Sequence, residues 1–154
     1  MANEVSPLEE PAFMRAVLDL VIPPRADGVL PGAGALGLGG EVAEQLRADT
    51  SDGPGVAAGL AAVQASARAR DAEGFTALSA VAQLAVLQSQ LPEHPALIPG
   101  LIRYVYVAYY QHPTVLGGLE QPARAPFPEG FDVEETDPAL LALLESRRIR
   151  APED

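Results

Sequence analysis

The chain contains no cysteine, no tryptophan and no lysine among its 154 residues. Without thiols it can form no disulfide, thiolate zinc site, iron–sulfur cluster or covalent haem linkage, and it has no thiol nucleophile. A cysteine-free chain is stable in either redox compartment. Without lysine there is no Schiff base and no phosphate-loop lysine, and all ten basic residues are arginine. Basic charge is scarce overall: the formal net charge is −11. The single basic cluster is Arg147, Arg148 and Arg150, so neither nucleic acid nor an anionic membrane surface is an expected partner. No long apolar run occurs either. The longest charge-free stretch, Gly74 to Pro92, is interrupted by Gln83, Gln88 and Gln90 and reads as a buried helix, with no membrane insertion expected. The start, Met1-Ala2-Asn3-Glu4-Val5, has no basic tract and no following apolar segment. As written, the chain is expected to be cytoplasmic, without a signal peptide.

What is present is an ordinary globular composition, 48% apolar and 20% charged, punctuated by 15 prolines and 14 glycines. One helical domain over 1–154 is expected, with a core at about 8–119, an irregular wrap at 120–136 and a terminal helix at 137–148. Between the breaks the apolar spacing is helical. Ser6-Pro7-Leu8-Glu9 has the pattern of a capping box opening a helix that places Phe13, Val17, Leu20 and Val21 on one face. Pro23-Pro24 stops it. After a glycine-rich loop, a second helix is expected over Ala35 to Arg47, with Leu38, Val42 and Leu46 inward. Asp52 can cap a third, with Pro54 in its first turn and Val56, Leu60 and Val63 along it. A fourth, from Phe75 to Leu91, is apolar nearly all round (Leu78, Val81, Leu84, Val86, Leu87) and belongs in the middle of the fold. The fifth, Pro95 to Gln111, turns Leu97, Leu101, Tyr104, Val105 and Ala108 inward. His112-Pro113 ends it, a short helical turn follows to Leu119, and Asp137-Pro138 opens the last helix through Arg148. No alternating strand pattern stands out. The expected fold is all-α, a compact bundle of five to six helices with a proline-rich C-terminal extension.

Few motifs carry chemistry. Gly32-Ala33-Gly34-Ala35-Leu36-Gly37 matches a dinucleotide fingerprint in letters, but that motif needs a strand delivering the glycines to a helix, and Gly28-Val29-Leu30-Pro31 is too short and proline-ended. It reads as a loop entering a helix. His94 and His112 are the only histidines, each beside a proline at a helix end, and neither has metal-ligand spacing. The carboxylates Glu9, Glu10, Glu41, Glu44, Glu134 and Glu135 read as solvated surface. No catalytic, cofactor or metal residue is therefore assigned. Tyr104, Tyr106, Tyr109 and Tyr110 supply half of the eight aromatic residues. With Tyr104 inward, Tyr106 and Tyr110 share another face, where tyrosine suits either a subunit interface or packing against the proline-rich tail.

Taken in order, several of these landmarks resemble the gluconate 2-dehydrogenase small-subunit family (subunit 3). They are Leu18-Asp19-Leu20-Val21-Ile22-Pro23-Pro24, Gly32-Ala33, the helix with Phe75, Leu78, Gln83 and Leu87, Tyr109-Tyr110-Gln111-His112-Pro113, and the tail around Gly130. The resemblance implies a non-catalytic, chaperone-like accessory subunit that binds an FAD-dependent large subunit of glucose-methanol-choline (GMC) type, a sugar or polyol dehydrogenase. It implies FAD in that partner and none in this chain, and a cytochrome c as a further subunit. From it the Tyr109-Tyr110 to Pro113 segment carries over only as a structural signature; with the shared face of Tyr106 and Tyr110, the residues expected at a partner interface are Tyr106, Tyr109, Tyr110, His112 and Pro113. Many relatives begin with a twin-arginine signal and are periplasmic, and no such signal is seen here. Two other readings of the residues stand beside this one: a stand-alone helical enzyme with His94 or His112 as base, and a homodimeric scaffold.

Overall fold

A computed structural model describes residues 6–122 and 137–148, which contain seven α-helices, three short 3-10 helices and no strand. The chain divides into two units, Met1–Ala123 and Arg124–Asp154. Most of the expected wrap, 123–136, lies outside the described residues, as do Gly130, Glu134 and Glu135.

The first unit begins with a 3-10 turn, Pro7–Glu9, and α1, Pro11–Val21. The expected capping box does not form: the Ser6 side chain makes no cap bond. The α-helix itself starts later, because the residue before Pro11 avoids helical geometry. Glu10 accordingly sits at φ −94°, ψ 99°, separating the turn from the helix. The second expected helix is also divided. A 3-10 turn, Gly34–Leu36, ends at Gly37 with φ +71°, and α2 runs over Gly39–Ala48. A left-handed residue cannot continue a right-handed helix, and glycine occupies that region at no steric cost.

α3, Gly53–Arg70, is the central helix, meeting α2, α4 and α5. Its expected cap differs as well: Asp49, not Asp52, organises the turn, its Oδ1 accepting the N–H groups of Ser51 and Asp52 at 2.9 and 3.1 Å. The buried face of α3 is Val56, Gly59, Leu60, Val63, Gln64 and Ala67. The crossing with α5 is close because two glycines face it. A Cβ at Gly59 would stand 3.0 Å from Leu97 Cδ1, and one at Gly100 would stand 2.4 Å from Val56 Cγ2.

After a 3-10 turn, Phe75–Ala77, α4 spans Ala80–Ser89, capped by Ser79, whose Oγ accepts the Ala82 N–H at 3.3 Å. α5 (Leu97–Gln111) buries Leu97, Leu101, Tyr104, Val105 and Ala108, as the spacing predicts, and α6 (Pro113–Gly118) follows directly. The core gathers Phe13, Met14, Val17 and Leu18 of α1, Val42 and Leu46 of α2, and the inner faces of α3 and α5. Phe13 meets Phe75 edge to face at 5.3 Å. Each buried side chain of this size contributes about 1.5–3 kcal/mol relative to leaving it in water.

In the second unit, α7 covers Pro138–Arg148, opened as the sequence predicts by Asp137, whose Oδ1 accepts the Ala139 N–H at 2.9 Å.

Candidate functional site

The location of α4 departs most from expectation, and it matters most. A helix apolar all round should be central, yet only Val86 and Leu87 of α4 are buried. Val81 is 80% exposed and Leu84 43% exposed. The central place is taken by α3, whose alanines and glycines allow neighbouring helices to approach. α4 is left at the edge with apolar side chains directed outward.

Beside it, α5 shows a stripe at i, i+4, i+8: Ile102, Tyr106 and Tyr110, all more than a third exposed, with Val107 adjacent. The rings of Tyr106 and Tyr110 meet edge to face at 5.7 Å, and Tyr109 meets Tyr110 the same way at 5.2 Å. Between the two helices and the end of α1 runs a groove of about 280 Å³. Leu84, Leu87, Leu91, Ile98, Ile102 and Tyr106 line it together with Leu20 and Val21, and Gln88 is its one polar lining residue.

The face is also poor in charge. Between Gly74 and Leu119 the only Asp, Glu, Lys or Arg side chains are Glu93 and Arg103, in a chain that carries 31. Arg103 is turned toward the α2–α3 turn, where it meets Asp49 at 3.3 Å and Asp52 at 3.2 Å. Depletion of charge with enrichment of tyrosine and aliphatic residues is the composition of an interface core.

The remaining tyrosines have structural duties. Tyr104 donates its O–H to Asp49 Oδ2 at 2.7 Å. That bond and the N–H groups of Asp52 and Ser51 hold the Asp49 carboxyl down at about 2. Burial, and then the Asp49 carboxylate, push the Tyr104 hydroxyl above its ordinary value. Tyr109 is buried and donates to the Pro31 carbonyl at 2.8 Å, and burial raises its pKa as well. Tyr109 was expected at the partner interface, but its ring faces inward because it stands four residues after the buried Val105. His112 is half-buried, and its Nδ1 accepts the Thr114 N–H at 3.3 Å, capping α6; Pro113 is exposed. Of the five residues expected to touch a partner, the fold therefore brings Tyr106 and Tyr110 together on the surface, with Pro113 exposed after them. Val81, Leu84 and Ile102, which the sequence did not single out as exposed, share this surface. The signal that could have found them is the charge-free run itself, which reads equally as core or as contact surface.

The glycine fingerprint has a structural use. Asp19 Oδ1 accepts the Gly34 N–H at 2.8 Å, and a Cβ at Gly34 would lie 2.3 Å from the Arg15 carbonyl oxygen. The amide a phosphate would need is taken by α1, and the segment before it ends in Pro31, with no strand among the described residues. The motif does not fit a dinucleotide. Among the described residues no His, Asp and Glu side chains gather in a group of three that could hold a metal. No described helix is long and apolar enough to cross a membrane.

The sequence model of one protein family, described as gluconate 2-dehydrogenase subunit 3, matches residues 8–121. No curated protein and no solved structure matches the chain.

Proposed function

Because the chain belongs to the gluconate 2-dehydrogenase subunit 3 family, we propose that it is the non-catalytic small subunit of a dehydrogenase complex and stabilises an FAD-dependent large subunit of GMC type by binding it. Subunit 3 names a component of a dehydrogenase complex, and this chain offers a surface suited to that place. The observation that carries the reading is the charge-poor face of α4 and α5 that the described residues leave exposed, with Val81, Leu84, Ile102, Tyr106 and Tyr110 directed outward. In water such a face is unfavourable; against a partner it supplies the dry centre of an interface. The groove of about 280 Å³ is lined mainly by aliphatic side chains. It suits one or two aliphatic anchors from another polypeptide.

The stabilising mechanism is mass action. A subunit that binds only the folded large subunit stabilises it by RT ln(1 + [L]/Kd), about 2.7 kcal/mol at a hundredfold excess over Kd. A stable pair buries about 1,600 Å² of surface in total. FAD and hydride chemistry reside in the large subunit in this reading, and a cytochrome c is the further component that accepts its electrons.

Co-expression with the dehydrogenase encoded beside this chain tests the proposal. Soluble, flavin-loaded large subunit should depend on the small one. The Tyr106→Ala, Tyr110→Ala double variant, and separately Leu84→Glu, should lose co-purification while keeping the thermal melt of the isolated chain. Equal yield and flavin content of the large subunit without this chain would sink the stabilising role. Full retention of both variants would sink the face.

A further inference from the structure

One side of α4 has the spacing of a coiled-coil seam. Val81, Leu84, Gln88 and Leu91 stand at i, i+3, i+7 and i+10, the last just past the end of the helix. Three of these positions are aliphatic and one carries an amide. Leu84, Gln88 and Leu91 line the groove that Ile102 and Tyr106 of α5 line from the other helix. The neighbouring glutamines are engaged within the chain. Gln83 donates to the Phe75 carbonyl at 2.9 Å, and Gln90 donates to Ser89 Oγ at 3.0 Å. Gln88 is exposed, and its amide has no hydrogen-bond partner among the described residues. Apolar contact is non-directional, so aliphatic walls alone do not fix where along the groove a partner sits. A single polar residue on an apolar seam does fix it. Any displaced register buries that residue, or the group meant for it, without a hydrogen bond.

We propose that Gln88 sets the register and specificity of the α4–α5 groove, whose occupant is an amphipathic helix of the large subunit with one uncharged hydrogen-bonding side chain opposite Gln88. The proposal rests on the reading of the chain as a dehydrogenase small subunit. A helix is the form of partner an aliphatic groove accepts, because it satisfies its own backbone groups internally. That leaves a side chain, an amide or a hydroxyl, to meet the Gln88 amide. Charge decides the rest. Glu93 is the only carboxylate between Gly74 and Leu119, and Arg103 is held by Asp49 and Asp52. A charged side chain laid into the groove would therefore be buried without a counter-charge, which is strongly unfavourable. A second copy of the chain would bring a net charge of −11 against −11, and that repulsion favours the monomer. The aliphatic positions of the seam supply affinity, and the amide decides which helix, in which register, can use them.

Competitive co-expression tests this. The large subunit encoded beside this chain is produced with equal amounts of the full wild-type chain and a Gln88 variant under different tags. The ratio of the two retained on the large subunit is then measured. Leucine in an aliphatic groove should improve retention if Gln88 only faces water, so the sign of the Q88L effect decides. Q88L and Q88A should each fall about tenfold below wild type, the effect of leaving the partner's polar group without a hydrogen bond. The thermal melt of each isolated variant should match that of wild type. Retention of Q88L equal to or above wild type would overturn the proposal. So would loss of Q88L with full retention of Q88A, which would mean crowding by the leucine. Sedimentation of the isolated chain as a dimer that Leu84→Glu dissolves would overturn it too, by assigning the groove to a second copy. If the wild-type chain is not retained at all, the small-subunit reading and this proposal fall together; if it is retained and Q88L equals it, this proposal alone falls.

Discussion

Replacing Gly59 by alanine asks whether α3 and α5 cross as closely as described, because the sign of the stability change depends on it. A glycine in the interior of a helix costs about 1 kcal/mol relative to alanine, so Gly→Ala in an uncrowded helix is stabilising. At position 59 the new methyl would stand 3.0, 3.1 and 3.2 Å from Cδ1, Cβ and Cγ of Leu97. Carbon atoms in good contact lie about 3.5–4.0 Å apart, so Leu97 has to retreat by several tenths of an ångström. Its Cβ is fixed to the α5 backbone, so the helix must move with it. Overpacking of this kind costs about 1–3 kcal/mol. The net expectation is a loss of about 0–2 kcal/mol after the helix gain of about 1 is subtracted. Gly55 is the internal control: it lies on the same helix, and a Cβ there would meet only Ala96 Cβ at 3.9 Å. Gly55→Ala should therefore stabilise, by up to about 1 kcal/mol. Urea unfolding of both variants with unchanged m-values measures the difference directly. If Gly59→Ala stabilises the protein as much as Gly55→Ala, the close crossing is wrong. The position assigned to the outward stripe of α5 would fall with it.

Other outcomes follow from the polar contacts. Asp19→Ala removes the acceptor of the partly buried Gly34 N–H and should cost about 1.5–3 kcal/mol, the range for a hydrogen bond to a charged group, read from the same urea curves. Tyr104 has a raised pKa, caused first by burial and then by Asp49, so its contribution is complete below its ordinary pKa of 10.0 and is lost as pH rises through the raised value. Tyr104→Phe should flatten that alkaline limb of a stability–pH profile; an unchanged limb would refute the assignment. Asp49 titrates at about 2 against an ordinary 3.8, so its contribution is present above 3.8 and disappears as pH falls toward 2. Asp49→Asn should remove that acid-limb dependence, measured by melting temperature between those two pH values.

The local pattern was most legible where one periodicity settled the matter. In α5 the spacing of Leu97, Leu101, Tyr104, Val105 and Ala108 identified the buried face, and His112-Pro113 marked its end. The same arithmetic could have placed Tyr109 inside, four residues beyond Val105. Its partner, the Pro31 carbonyl, stands 78 residues away in sequence and has no local signature. The Glu10, Gln64 and Arg68 contacts are likewise long-range: Gln64 Nε2 donates to Glu10 Oε2 at 2.6 Å, and Arg68 reaches Glu10 Oε1 at 2.8 Å. The first helix boundary was misplaced because two signals compete there. Ser6-Pro7 opens a turn, but Pro11 prevents Glu10 from joining it to the helix.

Composition and periodicity by themselves determined that this chain is all-helical, where most of its breaks fall, and that thiol and amine chemistry are beyond it, because these depend on residue type and on neighbours a few positions away. The tertiary structure alone decided that α3, not α4, holds the centre. A hydrophobic helix is equally satisfied by burial within its own chain or against another, and only the packing reveals which side of it has been left without a neighbour.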